Sequence, residues 1–179
     1  MKKAILISLT LLLGACSAKV QQPNAAGTPV ATTTSSVRAA KAVPNVSLSD
    51  LDSATQVKFA ELPKPVVVTF WASWCTTCRD EFPVWRNSKI AKSVIGINVQ
   101  DASASNNLRI QARDLMKSNR TAFRSYVDDA EVLTSKLGIV GLPVSIVVDS
   151  AGNIVNRHDG SMSKQQLTAF IKQAAELRK

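Results

Sequence analysis

The chain has 179 residues, 45% of them apolar, and carries 22 Lys and Arg against 13 Asp and Glu for a formal charge of +9. That length buries one ordinary core with a tail to spare, so a single domain is expected and a multidomain enzyme is not. Three cysteines leave room for one pair and one odd residue, which excludes a disulfide-stapled scaffold.

Met1-Lys2-Lys3 is a basic start, and Ala4 to Leu13 is an apolar stretch too short to cross a bilayer as a mature helix, so residues 1–15 read as a signal segment. Leu13-Gly14-Ala15-Cys16 resembles the bacterial lipobox, in which the cysteine is acylated and becomes the mature N-terminus. The alternative is ordinary cleavage after Ala18, which would discard Cys16 and leave its placement unexplained. Ser17, rather than Asp, resembles the outer-membrane sorting pattern, if the cell is Gram-negative. Residues 16–44 then form a lipid-anchored tether rich in Ala, Thr, Ser, Pro and Gln, unable to offset its ordering entropy by burial. Such a coil reaches roughly 30 Å on average.

From residue 45 to 179 the pattern is that of folded protein. Val46 to Asp52 and Thr55 to Phe59 read as a hairpin turning near Ser53-Ala54. Val66 to Trp71 and Val94 to Val99 are continuous apolar runs, the mark of strands buried on both faces. The first main helix follows Cys75 and should kink at Pro83, which lacks an N–H. A helix is predicted over 105–118, a strand over 123–127, and a small helix over 130–137 with Asp128 and Glu131 spaced as a capping box. Val144 to Asp149 and Ile154 to His158 form a hairpin across Ala151-Gly152-Asn153. The last helix starts at Ser163, with Gln166 completing a capping box, and buries Leu167, Phe170, Ile171 and Ala174. Alternating strands and helices closed by a hairpin predict an α/β fold with a mixed central sheet flanked by helices.

Between the first buried strand and its helix stands Trp71-Ala72-Ser73-Trp74-Cys75-Thr76-Thr77-Cys78-Arg79-Asp80-Glu81-Phe82-Pro83. Two cysteines one turn apart at a helix start meet unpaired backbone N–H groups and the positive end of the helix dipole, which favours a thiolate. The pair therefore reads as a redox dithiol. Copper(I) also accepts two soft sulfurs, whereas a structural zinc site needs two more ligands than the pair supplies.

This run resembles the TlpA/ResA branch of the thioredoxin superfamily, membrane-tethered extracytoplasmic disulfide reductases, and the resemblance covers nearly all of residues 46–177. Gly141-Leu142-Pro143 resembles the loop whose proline is cis and faces the dithiol, and residues 100–130 resemble the helix and strand that this branch inserts. Thr69 stands where thioredoxin has a buried Asp, and Glu81 matches the branch's glutamate three residues after the second cysteine. Thr77 departs from the proline most reducing members have there, which leaves the redox potential open.

The resemblance implies Cys75 as the exposed nucleophile, Cys78 as the resolving thiol, and Pro143 with the Leu142 backbone beside the substrate chain. It implies that Glu81 exchanges a proton; from the residues alone, Glu81 could simply complement the helix dipole. Trp74 is either a contact for partner proteins or a lid over the turn. Thr76 and Thr77 tune the thiolate in a direction the residues do not give. No cofactor is implied beyond the redox disulfide. The implied partners are oxidised envelope proteins such as apocytochrome c, a membrane-bound thiol donor, and the membrane through lipid on Cys16; the protein is expected as a monomer facing the periplasm. An oxidase or isomerase direction, or a copper-handling module on the same fold, are the other readings.

Loss of Lys2 and Lys3 leaves 20 basic against 13 acidic residues, or +7. Arg109, Arg113, Lys117, Arg120 and Arg124 would line one face if a single helix ran through them. Such a row is usually a solvated face; otherwise it could meet an anionic membrane or an acidic partner. Export argues against nucleic acid. His158, the only histidine, is assigned no role.

Overall fold

A computed structural model describes residues 41–86, 92–100 and 106–178. The signal segment, Cys16 and most of the expected tether lie outside these residues. The strands are β1 (Lys41–Ala42), β2 (Ser47–Asp50), β3 (Gln56–Lys58), β4 (Val66–Trp71), β5 (Val94–Val99), β6 (Arg124–Asp128), β7 (Val144–Val148) and β8 (Asn153–Asp159). They form one sheet in the order β1-β8-β7-β4-β5-β6-β2-β3. The helices are α1 (Thr76–Arg79), α2 (Phe82–Trp85), α3 (Asn106–Ser118), α4 (Val132–Lys136) and α5 (Lys164–Glu176), with a 3₁₀ turn at Phe59–Glu61.

The predicted mixed sheet is present. β4 runs parallel to β5 and β5 to β6, while β7 returns antiparallel to β4 and pairs with β8. Every residue of β4 and β5 is buried, as their uninterrupted apolar runs require. Alternation along β4 splits the core in two. Val67 and Trp71 join Phe82, Trp85, Leu167 and Phe170 on one face; Val66, Val68 and Phe70 join Leu48, Phe59, Ile97 and Leu133 on the other.

Several expectations are corrected. The tether was expected to reach residue 44, but Lys41 and Ala42 pair with Ile154 and Asn153 of β8. Pro83 divides the first helix rather than bending it: α1 and α2 are four residues each, with Asp80 and Glu81 between them still in right-handed helical backbone. A proline there removes the N–H that would reach back to residue 79. The Asp128–Glu131 capping box does not form. Glu131 has a left-handed backbone, φ 52°, and the Asp128 carboxylate instead accepts from the Leu133 and Thr134 N–H groups and the Thr134 hydroxyl. The basic row is broken, because α3 ends at Ser118, Arg120 turns left-handed at φ 53°, and Arg124 lies on a strand. Arg109 pairs with Asp129 and Arg124 with Asp50, so both bind the chain's own carboxylates.

Candidate active site

β4 delivers the dithiol. Its last residue, Trp71, is fully packed: the indole N–H donates to the Ser125 hydroxyl and the ring meets the Phe82 ring edge-on, centroids 5.5 Å apart. The chain then turns through Ala72 and Ser73, with the Cys75 N–H on the Ala72 carbonyl at 3.2 Å. Cys75 is the N-cap of α1, and its sulfur accepts the Cys78 N–H at 3.1 Å. That is the predicted placement, a sulfur at a helix start accepting one of its free N–H groups. Cys75 and Cys78 are joined in a disulfide, S–S 2.02 Å.

The expectation of an exposed nucleophile is corrected. Joined as a disulfide, Cys75 is 5% exposed and Cys78 2%. The outer face of the turn is instead Trp74, 59% exposed, with Thr76 and Thr77. That exposure leaves the Trp74 indole in solvent, not closed down as a lid. The Thr77 hydroxyl lies 3.5 Å from the Cys75 sulfur. Arg79 reaches back six residues, its guanidinium donating to the Ser73 carbonyl at 2.7 Å, which ties the end of α1 to the start of the cysteine turn.

Glu81 is 2% exposed, one turn past Cys78, with its backbone N–H on the Cys78 carbonyl. Its carboxyl Oε1 accepts the Met162 N–H at 2.8 Å. Burial pushes its pKa up to about 7; the Met162 N–H opposes this and the neighbouring Asp80 charge adds to it. Its burial sets it apart from a dipole-complementing surface residue. Thr69, at the position of thioredoxin's aspartate, is buried and accepts from the Ser145 hydroxyl. Glu81 is thus the buried carboxyl next to the pair.

The Leu142–Pro143 bond is cis. Pro143 immediately precedes Val144, which pairs with Phe70 near the end of β4, so the proline loop lies at the same end of the sheet as the dithiol turn. Leu142 packs against both core clusters, the first of which contains Cys75 and Cys78. The structure therefore gathers Cys75, Cys78, Glu81, Trp74, Leu142 and Pro143 at the C-terminal end of β4. Met162 was missed by sequence reasoning, since a backbone donor leaves no mark in residue type. His158 lines a cleft of about 310 Å³ between β8 and α5 with Asn156, Met162 and Phe170. Among the described residues no group of three or more His, Cys, Asp or Glu could hold a metal ion, and no helix is long and apolar enough to cross a membrane.

The family model named Redoxin matches residues 38–171, which spans the whole sheet and the dithiol. The chain belongs to the Redoxin family. Within it the chain is a TlpA/ResA-like member of the thioredoxin superfamily. It is 31% identical to the thiol:disulfide interchange protein DsbE of Escherichia coli, over 96% of this chain and 92% of that one. It is 24% identical to the thiol-disulfide oxidoreductase ResA of Bacillus thuringiensis, over 74% of this chain and 76% of that one. The crystal structure of a thio-disulfide isomerase from Thermus thermophilus superposes with a TM-score of 0.60 at 26% identity, covering 75% of this redoxin and 95% of its neighbour. With the Cys75–Cys78 pair in place, this redoxin is a thiol-disulfide oxidoreductase.

Proposed function

We propose that the protein works as a disulfide reductase of the bacterial envelope, held to a membrane through lipid on Cys16 and facing the periplasm, with the outer membrane favoured in a Gram-negative cell. The observation that carries the reading is the Cys75 sulfur at the N-cap of α1, accepting the Cys78 N–H, with the buried Glu81 one turn beyond Cys78. In the reduced enzyme the Cys75 thiolate attacks one sulfur of a client disulfide, forming a mixed disulfide and releasing a client thiolate. Cys78 then gives its proton to Glu81 and attacks the Cys75 sulfur; the Cys75–Cys78 disulfide forms and the client's second sulfur leaves as a thiolate, taking up the proton Glu81 holds. Two electrons pass to the client.

Trp74 offers an exposed aromatic contact beside the nucleophile, and the Leu142 backbone with Pro143 lines the path of an extended client chain. The dithiol needs no cofactor. A membrane-bound thiol protein would restore it, since disulfides persist outside the cytoplasm and no soluble reductant is assured there. Clients are oxidised envelope proteins, and the protein works as a monomer.

The test has two parts. Replacing Cys78 with Ser in the full chain should trap clients on Cys75 as mixed disulfides, identified after purification from the envelope. The purified domain should show a reduction potential in the range of the reducing thioredoxins, near −270 mV. A value nearer −120 mV would assign the oxidising direction. Tight stoichiometric copper(I) binding with no disulfide reduction would overturn the enzymatic reading.

A further inference from the structure

The segment between β8 and α5 makes two backbone hydrogen bonds to the two sides of the proposed site. The Gly160 N–H donates to the Pro143 carbonyl at 2.9 Å, and two residues later the Met162 N–H donates to Glu81 Oε1 at 2.8 Å. The first bond continues the β7–β8 ladder one step past the Val144–Asp159 pair, so it belongs to the sheet. The second lies outside any ladder. Between them the chain must leave the line of β8 and turn a peptide inward, and Gly160 does this at φ +95°. A Cβ at Gly160 would meet nothing within 4 Å, so backbone conformation alone, not space, calls for glycine here.

We propose that Gly160 is a positioning residue, whose left-handed backbone holds the Met162 N–H on the Glu81 carboxyl and ties that contact to the Pro143 loop. An extended client chain that displaces the Pro143 loop would draw the Met162 N–H away from Glu81. A donor N–H favours the charged carboxylate and burial disfavours it, so a weakened bond makes Glu81 hold its proton more tightly. Client binding and proton uptake are then linked through three residues. The charged and titratable groups around this contact are Asp80 beside Glu81, the dithiol one turn back, and His158, Asp159 and Lys164 along the Met162 segment, with Asp159 paired to Arg157. This inference rests on the reading of Glu81 as the proton carrier.

The experiment titrates Glu81 directly in the oxidised protein by NMR of carboxyl-labelled glutamate, its signal assigned by its loss in Glu81→Gln. Gly160→Ala adds no clash but disfavours the required backbone, and should raise the Glu81 midpoint by about one unit, a tenfold gain in proton affinity. Met162→Leu keeps the donor N–H and should leave the midpoint where it is. A folded Gly160→Ala protein with an unmoved midpoint, or a Met162→Leu protein that moves it equally, would overturn the proposal. Should Gly160→Ala not fold, Gly160→Asn, which adopts left-handed backbone less readily than glycine but more readily than alanine, should give a smaller rise, and no rise there has the same force. If the midpoint moves as expected while the rate of disulfide reduction ignores it, the positioning role of Gly160 stands and the proton role of Glu81 falls.

Discussion

Burial of Glu81 makes its protonation a matter of stability as well as chemistry. Its folded pKa of about 7 lies above the ordinary 4.5, so between these values the folded chain binds more protons than the unfolded one. Stability is therefore greatest below about pH 4.5 on this account, falls as pH rises through 7, and is level above that. The loss totals on the order of 3 kcal/mol. Asp50, lowered against its burial by the Ser53 N–H and by Arg124, and Asp159, lowered by its bond to Arg157, act with the opposite sign but only below their ordinary range, outside this window. Urea unfolding of the oxidised protein from pH 5 to 8 should show the decline, and Glu81→Gln should flatten it. A wild-type profile that stays level across the window would mean that Glu81 is charged throughout. Trp74 gives the complementary case: with its ring in solvent, Trp74→Ala should change stability by less than about 0.5 kcal/mol. It should slow reduction of a protein disulfide severalfold while sparing a small aromatic disulfide, and equal loss on both would place the indole in the chemistry instead of in client contact. Both residues were legible in the cysteine motif and its resemblance. Their settings were not, since the Met162 N–H that meets Glu81 comes from 81 residues away and from backbone.

At the level of elements, legibility followed how local the determining interaction is. The two buried strands and the Ser163–Gln166 capping box, which forms as predicted, are specified by neighbours in sequence. Asp128 shows the limit. It does cap a helix, but five and six residues on, because Glu131 turns left-handed and delays the helix start. The basic row failed for the same kind of reason, an unforeseen turn at Arg120. Strand β5 carries a constraint of its own at Gly96, where a Cβ would lie 2.4 Å from the Phe123 ring, 2.8 Å from the Trp71 indole nitrogen and 2.9 Å from the Ser125 hydroxyl. All three belong to rigid, buried groups, and the indole–Ser125 bond would have to move. Gly96→Ala should therefore cost about 1–3 kcal/mol or more by overpacking, read as a lowered denaturation midpoint. Since Trp71 begins the dithiol turn, the variant should also lose part of its thiol-disulfide exchange rate in the folded state. Unchanged stability would show that the sheet relaxes freely at this point.

The whole molecule divides its labour across the sheet. The cluster on one face holds Cys75, Cys78, Trp71 and Phe82; the cluster on the other, with Leu133, Phe70 and Ile97, contains no member of the dithiol turn. The buried strands β4 and β5 contribute side chains to both faces in alternation, so the two cores share a backbone but few side-chain contacts. A cavity opened in the second core should then lower stability without retuning the sulfur chemistry. Leu133 is fully buried in it, and Leu133→Ala should cost about 2–5 kcal/mol. Phe82, edge-on to Trp71 and next to Glu81, belongs to the first core, and Phe82→Leu should cost less, about 1–2 kcal/mol. The order reverses for the reduction potential measured well below either midpoint: Phe82→Leu should shift it, because the packing that shields Glu81 and supports the cysteine turn is altered, and Leu133→Ala should not. A potential that moves equally in both variants would mean that strain crosses the sheet, and that the active site is set by the stability of the entire domain instead of by the face that carries it.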